Sequence, residues 1–308
     1  MDLTPMAIHR ALVPLDGSQL AEATLPIARG FAKRLGVTIN LLHVLEQTAP
    51  ATVHGEPHLL NAADAEAYLA RIAGELRADG ISVETHVHDN PEKSVIESLA
   101  DHAEQFNPDL ILLASHGSGG VRGFLYGGVA QQVLRRGKRP VLMVHAGERR
   151  ADGETWTPQT IAVPISERGE GAAVLPIALA IAQGFGATIQ LIRVVPTLGT
   201  LGAAQSASAM LVPAASRAIL DIEATDARRG LDELIAQLAA TGTDVPVQRS
   251  VLRGDPATAA VAEATRVNAG LLAMATHAKA GLSGIWAGSV GTKIIDRSKL
   301  PLLLVRLP

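Results

Sequence analysis

The chain has 308 residues, with 27 Lys plus Arg against 30 Asp plus Glu, a net charge of -3 and no cysteine. No basic stretch alternates with aromatics, which excludes the electrostatic footprint of a nucleic-acid binder, and the lack of thiols excludes disulfides and thiolate metal sites. No apolar run reaches the ~18 residues of a membrane span, and Met1 to Arg10 lacks the apolar core of a signal peptide, so a cytoplasmic protein of two ~150-residue domains with no membrane partner is expected.

Ala11 to Leu15 is a short apolar run ending at Asp16-Gly17-Ser18, which reads as a buried strand and a turn. Leu20, Thr24, Ile27, Phe31 and Leu35 then recur every three or four residues, predicting one helix with an apolar face and Gly36 as its C-cap. Val37 to Leu45 is a second strand, Ala62 to Ala78 a helix and Ile81 to Val87 a third strand. Asn90-Pro91 predicts a helix start with proline at its first position, and Val95, Leu99, Ala103 and Phe106 line that helix's buried face. Leu110 to Ala114 is a fourth, nearly all-apolar strand, followed by a glycine-rich loop from Gly117 to Gly128, a short helix to Gly137 and a fifth strand over Pro140 to Val144. Strands alternating with helices imply a parallel sheet covered on both faces, with ligands bound at the carboxyl ends of strands where the strand order reverses. Asp16 and the loop after Ala114 both fall at such ends.

The order then repeats. Val13-Pro14-Leu15 matches Val163-Pro164-Ile165, and Gly36 matches Gly186, at a spacing of 150 residues. Leu69, Ile72, Leu76 and Gly80 match Leu231, Leu234, Leu238 and Gly242 at a spacing of 162, so the second copy carries 12 more residues after its second strand. The run Gly199 to Ala215, rich in Ala, Gly, Ser and Thr, is expected to hold them as a mobile connector. His116, Gly120, Gly127, Pro140 and Val144 match His277, Gly281, Gly288, Pro301 and Val305 at a spacing of 161. A repeat this long is a duplicated domain rather than a solenoid unit: 1–147 is the first domain, 148–158 a linker and 159–308 the second.

Val13-Pro14-Leu15-Asp16-Gly17-Ser18, Leu42-His43-Val44, and Ala114-Ser115-His116-Gly117 followed nine residues later by Gly127-Gly128-Val129 resemble the universal stress protein domain. The likeness spans both halves. It implies two tandem doubly wound parallel-sheet α/β domains of the adenine nucleotide alpha hydrolase-like type, with five strands each. It also implies ATP or another adenine nucleotide as ligand, with Mg2+ as its companion cation. By the same resemblance Pro14, Leu15 and Asp16 flank the nucleoside, Asp16 accepting from ribose hydroxyls, and Val44 touches the adenine. Ala114, His116, Gly117, Gly127, Gly128 and Val129 would border the phosphates, with Gly288, Ser289 and Val290 as the counterpart in the second copy. Glycines permit positive φ and close approach to a phosphate, and the amides opening the next helix face the anion. The resemblance further implies that Val141 to Val144 and Leu302 to Val305 pair across a pseudo-twofold axis inside one chain, and it allows a homodimer of such chains.

Neither copy carries the family's full pattern of Gly, two residues, Gly, nine residues, then Gly-Ser or Gly-Thr. In the first, Ala114 replaces a glycine and Gly128 the hydroxyl residue; one lost charge-assisted hydrogen bond costs ~1.5 to 3 kcal/mol, about 10- to 100-fold in affinity. In the second, Gly288-Ser289 is intact, but Ala275 and Ala278 replace both early glycines and Ser166 stands where Asp16 would be. The first half is therefore the expected nucleotide site and the second mainly structural, in a stress-response protein without efficient chemistry. The alternative is a scaffold that binds client proteins with empty crevices, in which the glycines only shape a tight connection and Asp16 only caps a turn.

Other patterns fail on their own terms. Ala287-Gly288-Ser289-Val290-Gly291 imitates a nucleophile elbow, yet no histidine follows His277. No P-loop is present, and Asp16-Gly17-Ser18-Gln19-Leu20 lacks the later glycines of a dinucleotide fingerprint. Ser118-Gly119-Gly120 comes in the wrong place for an adenylyl-transferring ligase. His86 and His88 share one side of a strand and His54 and His58 share a loop; solvated or strand-face roles are expected rather than zinc binding, so no metal ligand is assigned. His116 and His277 are expected to pack or hydrogen-bond, and the cluster Arg135-Arg136 and Lys138-Arg139 to be a solvated helix end.

Overall fold

The apolar runs become strands because alternate side chains can be buried on opposite faces of one sheet. The computed structural model describes residues 2–46, 52–53, 56–89, 94–115, 128–137, 139–145, 154–166, 169–201, 211–276 and 290–307. The first half supplies β1 (Arg10–Pro14), β2 (Thr38–Val44), a hairpin of β3 (Thr52–Val53) and β4 (Glu56–Pro57), β5 (Val83–His88), β6 (Leu110–Ser115) and β7 (Val141–His145). The second supplies β8 (Thr160–Pro164), β9 (Thr188–Val195), β10 (Val247–Arg253), β11 (Leu271–Thr276) and β12 (Leu302–Arg306). Ten of these strands form one sheet in the order β10-β9-β8-β11-β12-β7-β6-β1-β2-β5, five from each half. Along β1, Ala11 and Val13 enter the core on one face and Leu12 the core on the other.

In the ten-stranded sheet the neighbours within each half are parallel, while β12 and β7 meet antiparallel, with Leu302 opposite Met143 and Leu304 opposite Val141. This is the pairing of last strands that the resemblance implied. It buries Val141, Leu142, Leu302 and Leu303 completely and leaves β5 and β10 as the two edges of the ten-stranded sheet. Both edge strands are mostly polar, Val-Glu-Thr-His-Val-His and Val-Gln-Arg-Ser-Val-Leu-Arg, and carry charged side chains that guard them against pairing with other chains.

Aromatic packing ties the halves on one face. Phe31 stacks on Trp156 at 5.8 Å between centroids, and Phe185 meets Trp156 edge-on at 5.2 Å. Trp156, within the stretch expected as linker, is buried, and its amide and indole N–H donate to Pro26 and Gly270 carbonyls of opposite halves. Gly30 is required at this crossing, since a Cβ there would sit 2.5 Å from the Trp156 carbonyl oxygen.

Three expectations need correction. The single helix over Leu20 to Leu35 is two: a turn, Gln19–Glu22, then Leu25–Leu35. Pro26 has no amide hydrogen for the carbonyl one turn earlier, so the helix restarts with proline in its first turn. Gly36 and Gly186 do close their helices left-handed, at φ 70° and 66°. The extra length of the second copy is largely helix rather than connector. Pro213–Ala240 runs for 28 residues against 17 for Ala62–Ala78, because an alanine-rich sequence opened by proline at the first position propagates well. Residues 202–210 of that stretch lie outside the described residues. Finally, the fourth helix of the first half runs Val95–Gln105, opened by a capping box between Ser94 and Glu97, with residues 90–93 outside the described set. In the second half Asp255 caps the helix Pro256–Arg266 and Pro256 begins it.

Candidate functional site

β1 and β6 pair only through Ala11 with Leu110 and Leu12 with Ile111; beyond Leu12 the two strands part. The chain leaves β1 toward β2 on one side and reaches β6 on the other, so this gap is where the strand order reverses. Pro14 and Asp16, both half-buried, and the buried Leu15 stand on its lip. Half-buried Ala114 and buried Ser115 end β6 on the opposite side, and half-buried Val44 ends β2. The helix Gly128–Arg136 runs back from this rim to the start of β7, so its amino end belongs to the same edge of the sheet. His116, Gly117, Gly127, Gly288 and Ser289 lie outside the described residues. Val290 opens the helix Val290–Arg297 and is 45% exposed.

The turn after β1 is held by charge and hydroxyl. Asp16 Oδ1 accepts from the Ser18 amide at 2.9 Å and the Ser18 hydroxyl at 2.6 Å, and Ser18 Oγ accepts from the Ala21 amide at 3.2 Å. Asp16 therefore supports a helix cap as well as standing at the crevice. Beneath it, His43 Nδ1–H donates to the Leu15 carbonyl at 2.7 Å, which leaves Nε2 a lone pair with no hydrogen-bond partner among the described residues. Burial, the dominant cause, lowers the His43 pKa and keeps the ring neutral.

Sequence reasoning missed the segment from β4 to Leu59, which offers no periodicity. Glu56 Oε2 accepts from the Gln19 amide at 3.0 Å. Leu59 lies against Gly17, where a Cβ would be 2.9 Å from its Cγ and φ is +90°, so only glycine fits. His58, expected to be solvated, is 8% exposed because this segment folds inward over the turn. Of the basic cluster, Arg136 pairs with Glu97 at 3.1 Å and Arg139 bonds Asn107, while Lys138 lies outside the described residues.

The second half has the same parting. β8 and β11 pair only at Ile161 with Leu271 and Ala162 with Leu272, and a crevice of about 1270 Å³ opens beyond. Arg193, at the position of His43, donates to the Ile165 carbonyl at 3.4 Å, as His43 does to Leu15. Ser166 stands exposed in place of Asp16. Among the described lining residues, Glu170, Glu223, Asp226 and Glu233 bring four carboxylates against the single cation Arg193. That balance repels a polyphosphate.

The profile of the Universal stress protein family matches residues 7–145 and again 158–306. A universal stress protein of Mycobacterium tuberculosis (strain ATCC 25618 / H37Rv) is 23% identical over 314 residues, covering 98% of each chain. A putative universal stress protein of Staphylococcus aureus (strain USA300) is 27% identical over 169 residues, 51% of this chain and 94% of its own. A solved universal stress protein from Archaeoglobus fulgidus DSM 4304 superposes with a TM-score of 0.64 at 20% identity, over 99% of this chain and 98% of its own, a likeness of fold. With both halves matched by one profile and the duplicated sheet order on each side of the β7–β12 seam, the chain belongs to the universal stress protein family.

Proposed function

We propose that this protein binds an adenine nucleotide, ATP by resemblance, chiefly in the crevice between β1 and β6, and acts by binding rather than catalysis in a stress response. The domains would run 1–147 and 159–308, joined by 148–158, with the second serving mainly as structure. The observation that carries this is the parting of β1 from β6 directly below Asp16. Leu15 and Val44 offer apolar contact for a base, Asp16 an acceptor for ribose hydroxyls, and the amides opening Gly128–Arg136 a cradle for phosphate beside the glycine-rich segment. These residues fit the group. His116 to Gly128 contains no carboxylate, so Mg2+ would be held by phosphate oxygens and water. The acid-lined second crevice supports assigning the ligand to the first half.

A second reading, a client-binding scaffold whose crevices stay empty of ligand, is favoured by Glu56 and Leu59 lying over the turn at Gly17. Calorimetry with ATP, AMP and cyclic AMP separates the two. Asp16→Asn, which keeps an acceptor for Ser18 while removing the charge, should weaken nucleotide binding about 10-fold or more. Absence of binding up to millimolar ligand sinks the nucleotide assignment, and unchanged affinity in Asp16→Asn sinks the role of Asp16.

A further inference from the structure

Away from both crevices, three imidazoles converge at the free edge of the sheet. His86 and His88 are two residues apart on β5, so their rings stand on one face, and the helix Val95–Gln105 presents His102 to them. Ring centroids lie 4.7 Å apart for His86 and His102 and 4.8 Å for His88 and His102, and ligating nitrogens of all three fall within 4.8 Å of one another. His102 sits on the same apolar stripe as Leu99 and Ala103 and is 6% exposed. Phe106 stacks on its ring at 5.2 Å and meets His86 edge-on at 5.3 Å, fixing both orientations within an apolar wall.

The hydrogen bonds leave this cluster short of donors. His102 Nδ1–H donates to Gln105 Oε1 at 3.0 Å, so His102 Nε2 carries a lone pair. That lone pair accepts from His88 Nδ1–H at 2.9 Å, which puts the remaining lone pair of His88 on Nε2, buried and without a hydrogen-bond partner among the described residues. Ser98 Oγ, one helical turn before His102 on the same face, is a second buried orphan. Protein interiors rarely leave such groups unmatched.

We propose that His86, His88 and His102 form a three-histidine site for a divalent transition-metal ion, with Zn2+ the first candidate and a fourth position open to water. Neutral imidazole is a borderline ligand suited to Zn2+, Cu2+ and Ni2+ rather than Mg2+ or Ca2+. Tetrahedral Zn–N bonds of about 2.0 Å require ligand nitrogens about 3.3 Å apart, against 2.9 Å between His88 Nδ1 and His102 Nε2; the ion would replace their shared hydrogen bond, the His88 proton moving from Nδ1 to Nε2 so that both facing nitrogens offer lone pairs. The Gln105 contact then plays the outer-shell part common at zinc histidines, holding the Nδ1–H tautomer so that Nε2 faces the ion. Burial first, then the neighbouring histidines, lowers the pKa of His86 and His102, which favours the uncharged, ligating form of these two rings.

The test is equilibrium dialysis of EDTA-stripped full-length protein against Zn2+, with bound metal counted by mass spectrometry, and a parallel titration with Co2+ read by its visible d–d bands. One Zn2+ per chain and a tetrahedral Co2+ spectrum are expected. His102→Ala should cut affinity beyond the about 10- to 100-fold typical of an outer-shell change, while His9→Gln, at an exposed amino-terminal position, should change nothing. His86→Gln, nearer the surface, provides a second variant if His102→Ala does not fold. No retained Zn2+ in the parent chain, or retention unaltered in both folded variants, overturns the assignment; so does an octahedral Co2+ spectrum.

Discussion

The two halves carry the same piece of architecture over their edge strands and fill it in opposite ways. By sheet register His86 corresponds to Ser250, each opposite the matched residues Leu42 and Ile192, and along the helices His102 corresponds to Glu263 and Gln105 to Arg266. In the second half the Ser250 hydroxyl donates to Glu263, Gln190 Nε2 donates to Ser250 at 3.0 Å, and Arg266 grips Glu263 with two N–H bonds of 2.7 Å. Each of these donors has an acceptor. In the first half three rings share one mutual bond and retain an unmatched lone pair. One scaffold position is thus closed as a structural network and left open as a set of ligands, which is how duplicated domains diverge without altering their fold.

The comparison supposes that both halves are held in one frame, and the largest effect comes from breaking that frame. Trp156→Ala removes the ring between Phe31 and Phe185 and the indole bond to Gly270. A loss of about 3–5 kcal/mol is expected from urea unfolding, with the halves unfolding in separate steps. A single transition of unchanged midpoint would show that the β7–β12 seam holds the halves unaided.

Next in size is the closed network itself. Glu263 is 5% exposed, and Glu263→Ala leaves Ser250 and Arg266 without their acceptor, for a cost of about 1.5–3 kcal/mol. Glu263→Gln, still able to accept, should lose less. If both variants match the parent chain in urea, the second half is no more closed than the first.

The helices over these edges begin differently, and their caps test how local the divergence is. Ser94 accepts from the Glu97 amide at 3.3 Å while Glu97 reaches back to the Ser94 amide at 3.2 Å; Asp255 accepts from the Thr258 amide at 2.9 Å. Ser94→Ala should cost about 1 kcal/mol and, by loosening the first turn below Ser98, raise hydrogen exchange on the helix Val95–Gln105 more than elsewhere. Exchange spread evenly over both halves would show that the cap is not a local support of the cluster.

How much of this was legible follows from what kind of signal each feature leaves. Ala62–Ala78 was read to the residue, and the strand order alternated as expected, because periodicity and glycine stops are local properties. The histidine cluster was half visible. His86 and His88 announce a shared face by spacing, but His102 comes from another element, and only the stripe Val95, Leu99, Ala103 and Phe106 hinted that the residue beside Ala103 faces the same way. The Asp16 turn was placed by its motif, whereas Glu56 and Leu59 reach it from a segment without periodicity. The alanine-rich stretch opening Pro213–Ala240 was misjudged because alanine is common both in connectors and in helices.

The smallest expected difference is in response to acid, since His86 is partly exposed and solvent screens it. In metal-free protein, His86 and His102 have folded pKa values lowered from 6.5 by burial first, with Asp89 and Asp101 acting against the shift. The unfolded chain therefore binds protons more readily, and stability falls as pH drops below about 6.5 toward the lower folded values. Glu263 differs in window: its pKa is lowered from 4.5, chiefly by the Arg266 bonds, so its contribution stands above 4.5 and fades as pH falls through the lower folded value. Hydrogen exchange on β5 should rise first on acidification and that on β10 only in the carboxylate range. His102→Leu should flatten the first response and leave the second untouched, and if β5 and β10 loosened together at one pH the two edges would not be electrostatically distinct.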